Sequence, residues 1–270
     1  MFGRVRSIDL TSLNDFIIYV STPCLILSSL AEKPIELGLA GKVFLSVVIV
    51  VLGCFLIGYV IVKLLGLSIK LYLPPIMFAN TGNMGLPLVL FAFGDNGFSI
   101  GILYMVSMTI IHYTLGILIL NFDKSPFEVL KLPLVYSAIL GILLSVSGWK
   151  MPLSAERAVT LLGEASIPTM IFALGYKLSE LRLSHVKISL LFGGLRIALG
   201  FTLGILTVTL FGLNGVTSDT IILQSAMPPA VFNFVLAEKY NQDSHIVASI
   251  IMAGTLISVF TTPLIIAWLI

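Results

Sequence analysis

A cluster of polar and helix-breaking residues interrupts one of the most apolar stretches of this chain. Lipid offers no hydrogen bonds to a broken backbone, so such a break survives only where it is buried in protein or lines a wet cavity. The chain is therefore constrained to a helical membrane fold that holds a polar site inside it. The cluster lies between Phe78 and Leu88 and contains Asn80, Thr81, Gly82, Asn83, Gly85 and Pro87.

A second break occurs at the corresponding place late in the chain. Gln224 and Ser225 precede the pair Pro228-Pro229, which predicts that Met227 leaves helical geometry. Asn233 follows, and the sequence leaves open whether it faces a cavity or bonds a neighbouring helix. Two interrupted spans in matching halves are the best sequence pointer to the binding site of a secondary transporter.

The composition agrees with a lipid environment. Hydrophobic residues make up 58% of the 270 residues and charged residues 10%, and the mean hydropathy is +1.10. Soluble domains have about 45–50% apolar and about 25% charged residues. We therefore expect an integral protein of the cell membrane. The polar residues 1–9 predict no cleavable signal peptide.

Several function classes find no support in the sequence. There is no His-Glu-x-x-His motif, no nucleotide-binding Gly-x-x-x-x-Gly-Lys loop and no basic cluster. We therefore expect no enzymatic activity, no catalytic or metal-binding residues, no cofactor and no nucleic-acid partner. The two cysteines, Cys24 and Cys54, lie in apolar segments and are expected to pack as small hydrophobic residues.

The hydropathy pattern predicts an all-α polytopic membrane protein. A bilayer-spanning helix needs about 20 apolar residues, and short polar connections separate nine such segments. The predicted spans are 14–31, 39–66, 71–93, 98–121, 132–149, 160–178, 186–212, 218–237 and 245–269.

Lysine and arginine are distributed unequally between the two sides of this nine-span arrangement. Positive residues stay cytoplasmic, which predicts a cytoplasmic N-terminus and an external C-terminus. The richer side holds Arg4, Arg6, Lys63, Lys70, Lys124, Lys131, Lys177, Arg182, Lys187 and Lys239, and the other side holds Lys33, Lys42, Lys150 and Arg157.

A weak internal repeat divides the chain into residues 1–125, with four spans, and 126–270, with five. Pro23 and Pro168 lie near the centres of the first and sixth spans. Each is followed by one long span, then a broken span, then a closing span. An extra span separates the two sets, so they have opposite orientations, as in the inverted repeats of secondary transporters.

Three of the ionisable residues in the predicted spans are candidates for function, because such residues are costly within a membrane and functional by default. Arg196 binds a substrate carboxylate, pairs with Glu164 or snorkels to the cytoplasmic face. Glu164 is either a coupling site for a cation or proton, or interfacial. His112 either relays protons or hydrogen-bonds between helices, and the second interpretation is favoured.

The two breaks resemble the signatures of a known family. The run from Asn80 to Leu88 is similar to the first crossover of the auxin efflux carriers. Ala226-Met227-Pro228-Pro229-Ala230, followed by Ala237-Glu238-Lys239-Tyr240, is similar to the second. The order of spans agrees along the whole chain. Family members begin with a further helix before the segment matching Ser7 to Asn14, and this chain has six residues there.

The resemblance implies an inverted-repeat transporter fold related to the bile acid/sodium symporters, with a scaffold domain and a transport domain. It also implies export or exchange of a small organic carboxylate, auxin-like or malate-like. Asn80, Asn83, Pro87 and Pro228 would then provide substrate contact and helix breakage. A coupling H⁺ or Na⁺ and a homodimer are further candidate partners.

Two alternatives remain open at the level of sequence. A transport-inactive receptor-like or scaffold protein would keep the same fold. A channel is the second alternative, although the chain shows no filter-like repeat or ring of acids. Two small-xxx-small pairs, Gly97/Gly101 and Gly200/Gly204, provide weak support for a dimer face.

Overall fold

The computed structural model describes residues 10–32, 36–120, 132–180 and 185–270, and regular structure within these ranges is helical. Three π-helical turns, Ile17–Ser21, Thr81–Gly85 and His112–Gly116, join successive α-helices. The α-helices are α1 Leu10–Phe16, α2 Thr22–Glu32, α3 Leu37–Leu64, α4 Ile69–Met77, α5 Leu86–Ile111, α6 Ile117–Leu120, α7 Pro133–Ser147, α8 Leu153–Glu164, α9 Ser166–Glu180, α10 Val186–Phe211, α11 Gly215–Ser225, α12 Phe232–Lys239 and α13 Ser244–Leu269.

These helices lie close to the predicted spans, and the all-helical membrane class is confirmed. Among the described residues, six helical segments are long and apolar enough to cross a membrane. The count of nine stays a prediction, since α7 and the pieces of the broken spans are shorter. The six segments are Ser12–Ala31, Leu37–Leu64, Thr81–Leu120, Leu153–Tyr176, Val186–Phe211 and Ser244–Leu269.

The largest difference from the predicted boundaries concerns the sixth span. The helix was expected from residue 160, but α8 already begins at Leu153. Its first turns carry Glu156 and Arg157, which lower the local hydropathy and hide the helix from a hydropathy window. A turn at Ala165 then separates α8 from α9.

The segment Thr81–Leu120 is interrupted at Gly94, between the third and fourth predicted spans. Gly94 has φ 61° and ψ −160°. Backbone of this kind is essentially restricted to glycine, because a Cβ would clash there. The interruption lies at the polar connection Asp95-Asn96-Gly97 that the sequence marks.

The helices form two packed groups, each with members from both halves of the chain. In the smaller group, α2 packs against α7 and α8, and α1 packs against α9. Its two proline-containing segments meet where the Thr22 and Ser166 hydroxyls hydrogen-bond at 3.2 Å. In the larger group, α10 packs against α3, α11 and α13, while α5 packs against α3 and α11. Large apolar side chains such as Leu56 and Phe260 are exposed on its outside, as suits a lipid-facing surface.

Candidate functional site at the paired helix breaks

The two breaks meet and pair with each other through their backbones. Ala79 and Pro229 form an isolated antiparallel β-bridge. The Asn80 N–H donates to the Pro228 carbonyl at 2.8 Å, and the Ala230 N–H donates to the Phe78 carbonyl at 2.9 Å. Interrupted helices leave backbone groups that lipid cannot satisfy. Here each break supplies the hydrogen bonds that the other lacks.

The prolines act at different places from those that the sequence suggests. The first helix ends at Met77 and the chain is extended at Phe78, well before Pro87. Pro87 follows the π-helical turn Thr81–Gly85 at the start of α5, so the interruption lies before it, and the role of Pro87 at the site stays a prediction. The predicted departure of Met227 from helical geometry is confirmed, because α11 ends at Ser225.

The first break contains a buried polar atom without a partner. Asn80 is 5% exposed, and its Nδ2 atom has no hydrogen-bond partner. Asn83 is half-buried and Thr81 is buried. The π-helical turn Thr81–Gly85 runs directly into α5, so it forms the amino end of a long helix. Such an end leaves free N–H groups and carries partial positive charge. The Asn80 amide and this helix end together favour the binding of an anion.

The helix that leads into the second break, α11, ends beside the buried guanidinium of Arg196. Arg196 is fully buried, and its Nη2 atom donates to the Ser225 carbonyl at 2.7 Å. Nη1 donates to the Cys54 sulfur at 3.0 Å, and Nε has no partner. The Tyr104 hydroxyl lies 2.8 Å from the Ser225 hydroxyl. A cation at the carboxyl end of a helix is favoured by the helix dipole.

These contacts argue against two of the three alternatives for Arg196. Complete burial excludes snorkelling, and Glu164 is exposed and forms no ion pair with Arg196. The contacts seen are with Ser225 and Cys54. Cys54 therefore does more than pack, since its sulfur accepts a hydrogen bond. A role for Glu164 in coupling and for Arg196 in substrate binding stays a prediction.

The two glycine pairs serve packing within the chain. An added Cβ at Gly97 would lie 3.0 Å from the Thr220 hydroxyl. At Gly200 it would collide with the Ser225 carbonyl, and at Gly204 it would lie 2.9 Å from Ser225 Cβ. The glycines thus allow α5 and α10 to approach α11 from two sides. They give no support for a dimer face.

Gln224 lies against the glycines of the first broken span. Its Nε2 atom donates to the Gly101 carbonyl at 3.4 Å, while its Oε1 atom is buried without a partner. A Cβ at Gly85 would collide with Oε1. The absence of a side chain at Gly85 therefore gives Gln224 room between the two breaks.

The helix that follows the second break, α12, begins beside His112. His112 Nε2 lies 3.0 Å from Asn233 Oδ1, and the Asn233 amide donates weakly to the Phe78 carbonyl at 3.5 Å. The imidazole stacks on Phe78 with 3.9 Å between ring centroids, and Phe232 meets its edge. The favoured interpretation of His112, a hydrogen bond between helices, is what the structure shows, and its role in coupling is untested.

Sequence reasoning missed the partners that come from other helices. Cys54, Tyr104 and Phe78 are apolar or aromatic residues in apolar spans, so nothing in the pattern marks them. A buried arginine in a span does signal that polar partners exist. It does not say that a thiol and a carbonyl would serve.

Comparison with known proteins shows a family match and a relative that aligns along almost the whole chain. The chain matches a family described as membrane transport protein over residues 6–131 and 122–266. An uncharacterised transporter of Methanocaldococcus jannaschii is 25% identical over 283 residues, which cover 98% of this chain and 91% of that protein.

Plant relatives match over a shorter region. Auxin efflux carrier component 8 of Arabidopsis thaliana is 27% identical over 137 residues, which cover 48% of this chain and 37% of the plant protein. Probable auxin efflux carrier component 1b of Oryza sativa subsp. japonica is 26% identical over 140 residues, 48% of this chain and 25% of that protein. The alignments thus span well under half of the plant carriers.

Proposed function

Because the chain belongs to the membrane transport protein family of the auxin efflux carriers, we propose that it is a secondary transporter that moves a small organic anion by alternating access around the paired breaks. The observation that carries this proposal is the unpartnered Asn80 amide next to the amino end of the turn Thr81–Gly85. A buried donor without an acceptor costs free energy. A bound anion would remove that cost.

The geometry favours the first break as the place where the anion binds. Asn80 and Asn83 would donate through their amides, Thr81 through its hydroxyl, and Gly82 through its backbone. At the second break the Ser225 carbonyl and Arg196 already bind each other. Gln224, Ser225, Pro228, Asn233 and Arg196 would then shape the site and its potential, with Gln224 Oε1 the acceptor still free.

The substrate class is a carboxylate, auxin-like or malate-like. A carboxylate carries one compact negative charge that two or three amide donors can match. The plant relatives are named for auxin efflux, which supports this class. Coupling to H⁺ or Na⁺ through Glu164 or His112 completes the proposal.

The two packed groups of helices support a division into a scaffold and a moving part. The group that contains α3, α4, α5, α10, α11, α12 and α13 holds both breaks, and it would move against the group around α2. We keep the nine-span topology, the inverted repeats 1–125 and 126–270, the cytoplasmic N-terminus and a homodimer as parts of this proposal. A reporter fused after Ile270 that is active only in the cytoplasm would overturn the orientation.

Transport and binding measured on the same preparations test the proposal. Purified protein in proteoliposomes would be assayed for uptake of labelled mono- and dicarboxylates, and for binding of the same acids by thermal shift. We expect Asn80→Ala and Asn83→Ala to lose roughly tenfold or more in affinity, since one hydrogen bond to a charged group contributes about 1.5–3 kcal/mol. Asn14→Ala, at an exposed amide of α1, is the matched control.

The outcomes separate the competing functions. Binding and flux that both fall in the two variants support a transporter with its site at the first break. Carboxylate binding without any flux supports a receptor-like protein instead. Wild-type transport in both variants removes Asn80 and Asn83 from the site.

A further inference from the structure

A polar cleft lies in the smaller group of helices, away from the paired breaks. It is formed by the end of α2, the turn between α7 and α8, and the first turns of α8, and it encloses about 210 Å³. A site of about 10–15 Å³ already admits one water, so this cleft has room for a small polar group. Its polar lining comes from Ser28, Trp149, Lys150, Glu156 and Thr160.

The local sequence explains why the cleft forms at this point. α7 ends at Gly148, which adopts left-handed geometry with φ 67° and turns the chain sharply. Pro152 then directly precedes α8, which begins at Leu153. The short turn between them presents Trp149 and Lys150 at the end of the apolar helix α7. Trp149 is 62% exposed, and tryptophan is enriched at the interface between membrane and water.

The two charges that line the cleft do not neutralise each other. Within the described part of the chain, neither Lys150 nor Glu156 forms an ion pair or a side-chain hydrogen bond, although both face one cavity. A purely anionic ligand would satisfy Lys150 and be repelled by Glu156, and a cation would meet the reverse situation. A ligand that carries both signs, separated by a short linker, satisfies both.

We propose that this cleft binds the headgroup of a zwitterionic phospholipid. The phosphate lies beside Lys150. The amine lies beside Glu156 and the Thr160 hydroxyl. This ligand is distinct from the proposed transport substrate, and none of these residues belongs to the paired breaks.

The surrounding surface argues for a lipid rather than a soluble zwitterion. The last turns of α7, the helix that leads into the cleft's turn, expose Leu143 and Val146, which are 58% and 54% exposed. Leu153, at the start of α8, is 61% exposed. In the proposal, acyl chains lie along these exposed apolar side chains, which we call the apolar wall, while the headgroup occupies the cleft.

The test uses delipidated full-length protein in detergent and short-chain probes. Dioctanoyl phosphatidylethanolamine, phosphatidylcholine and phosphatidylglycerol, and free phosphoethanolamine, would be titrated while thermal stability and native mass spectra are recorded. We expect the zwitterionic lipids to bind more tightly than phosphatidylglycerol. Free phosphoethanolamine should bind more weakly than the intact lipid, since the apolar wall is then unused.

Charge-removing variants assign the binding to the cleft. Lys150→Gln should weaken the zwitterionic lipids roughly tenfold or more. Glu156→Gln should weaken phosphatidylethanolamine and strengthen phosphatidylglycerol. Arg157→Gln, at an exposed neighbour outside the cleft, should leave all three unchanged.

Three results would overturn the proposal. One is phosphatidylglycerol binding to the wild type as tightly as phosphatidylethanolamine. Another is wild-type lipid affinities in both Lys150→Gln and Glu156→Gln. Equal affinity for free phosphoethanolamine and for the intact lipid would assign the cleft to a soluble zwitterion instead.

Discussion

The two helix breaks solve the same backbone problem in different ways. They share one β-bridge, through Ala79 and Pro229, but their surroundings diverge. At the first break the Asn80 amide is buried without a partner and Asn83 is half-buried. At the second, the Ser225 carbonyl and hydroxyl are both bonded, by Arg196 and Tyr104.

This difference suggests that the first break is suited to bind a ligand and that the second is more rigid. We expect the unpartnered Asn80 amide at the first break to accept a ligand without first breaking a bond inside the protein. At the end of α11 the Ser225 carbonyl and hydroxyl already have partners, although Gln224 Oε1 and Arg196 Nε do not, and glycines of α5 and α10 pack against this end. A ligand there would have to compete with contacts that already exist. The comparison therefore predicts that the first break binds and that the second one supports it.

The largest expected effect comes from filling the space beside α11. In Gly200→Ala the new Cβ would collide with the Ser225 carbonyl. This carbonyl cannot move without losing its hydrogen bond from Arg196. Overpacking costs about 1–3 kcal/mol and sometimes more, and we expect the upper end, measured as thermal unfolding in detergent. Gly194→Ala, on the same helix, meets Ile257 at an ordinary 3.7 Å and should be close to neutral. Equal stability of the two variants would contradict the tight packing at the second break.

Removing the guanidinium should have the next largest effect. Arg196→Gln loses a charged hydrogen bond to the Ser225 carbonyl, worth about 1.5–3 kcal/mol, and should lower the melting temperature. Arg196→Lys should recover only part, because an ammonium cannot reproduce the fork that reaches both Ser225 and Cys54. If Arg196→Gln melts like the wild type but loses carboxylate binding, Arg196 acts on the substrate and our comparison fails.

Asn233 and Asn80 then test the difference between the second break and the first. Asn233→Ala leaves His112 Nε2 without its partner and should destabilise by about 1–3 kcal/mol. Asn80→Ala removes a donor that has no partner, so stability should stay the same or rise, while carboxylate binding falls. A marked loss of stability in Asn80→Ala would show that its amide is structural.

The smallest effect should come from the tyrosine hydroxyl. Tyr104→Phe removes one neutral hydrogen bond to Ser225, which contributes about 0.5–1.5 kcal/mol. Tyr59→Phe, at an exposed hydroxyl of α3, provides the comparison. A loss as large as that of Arg196→Gln would place the main support of the second break on Tyr104.

The sequence was informative wherever the bilayer restricts the chain strongly. Helix positions followed from apolar length, and both breaks followed from amides and prolines in apolar spans. The proline pair at residues 228 and 229 predicted the end of α11 within two residues. Pro87 marked the broken span but not the point of interruption, since the chain is extended at Phe78 and helical again from Thr81.

The partners across helices were beyond sequence reasoning. The bond from Arg196 to Cys54 joins residues 142 positions apart, and no local pattern reports such a pairing. The glycine pairs show the same limit. Small-xxx-small spacing predicts close approach, but only the structure identifies α11 as the helix that approaches.

The bridge between Ala79 and Pro229 has a mechanical consequence. Two hydrogen bonds, 2.8 and 2.9 Å long, join the middle of one interrupted span to the middle of the other. Sliding one span past the other by a single residue would break both bonds at membrane depth, where no water replaces them. We therefore expect a displacement of either span to be transmitted to the other, so that the four helix pieces around the crossing would move together.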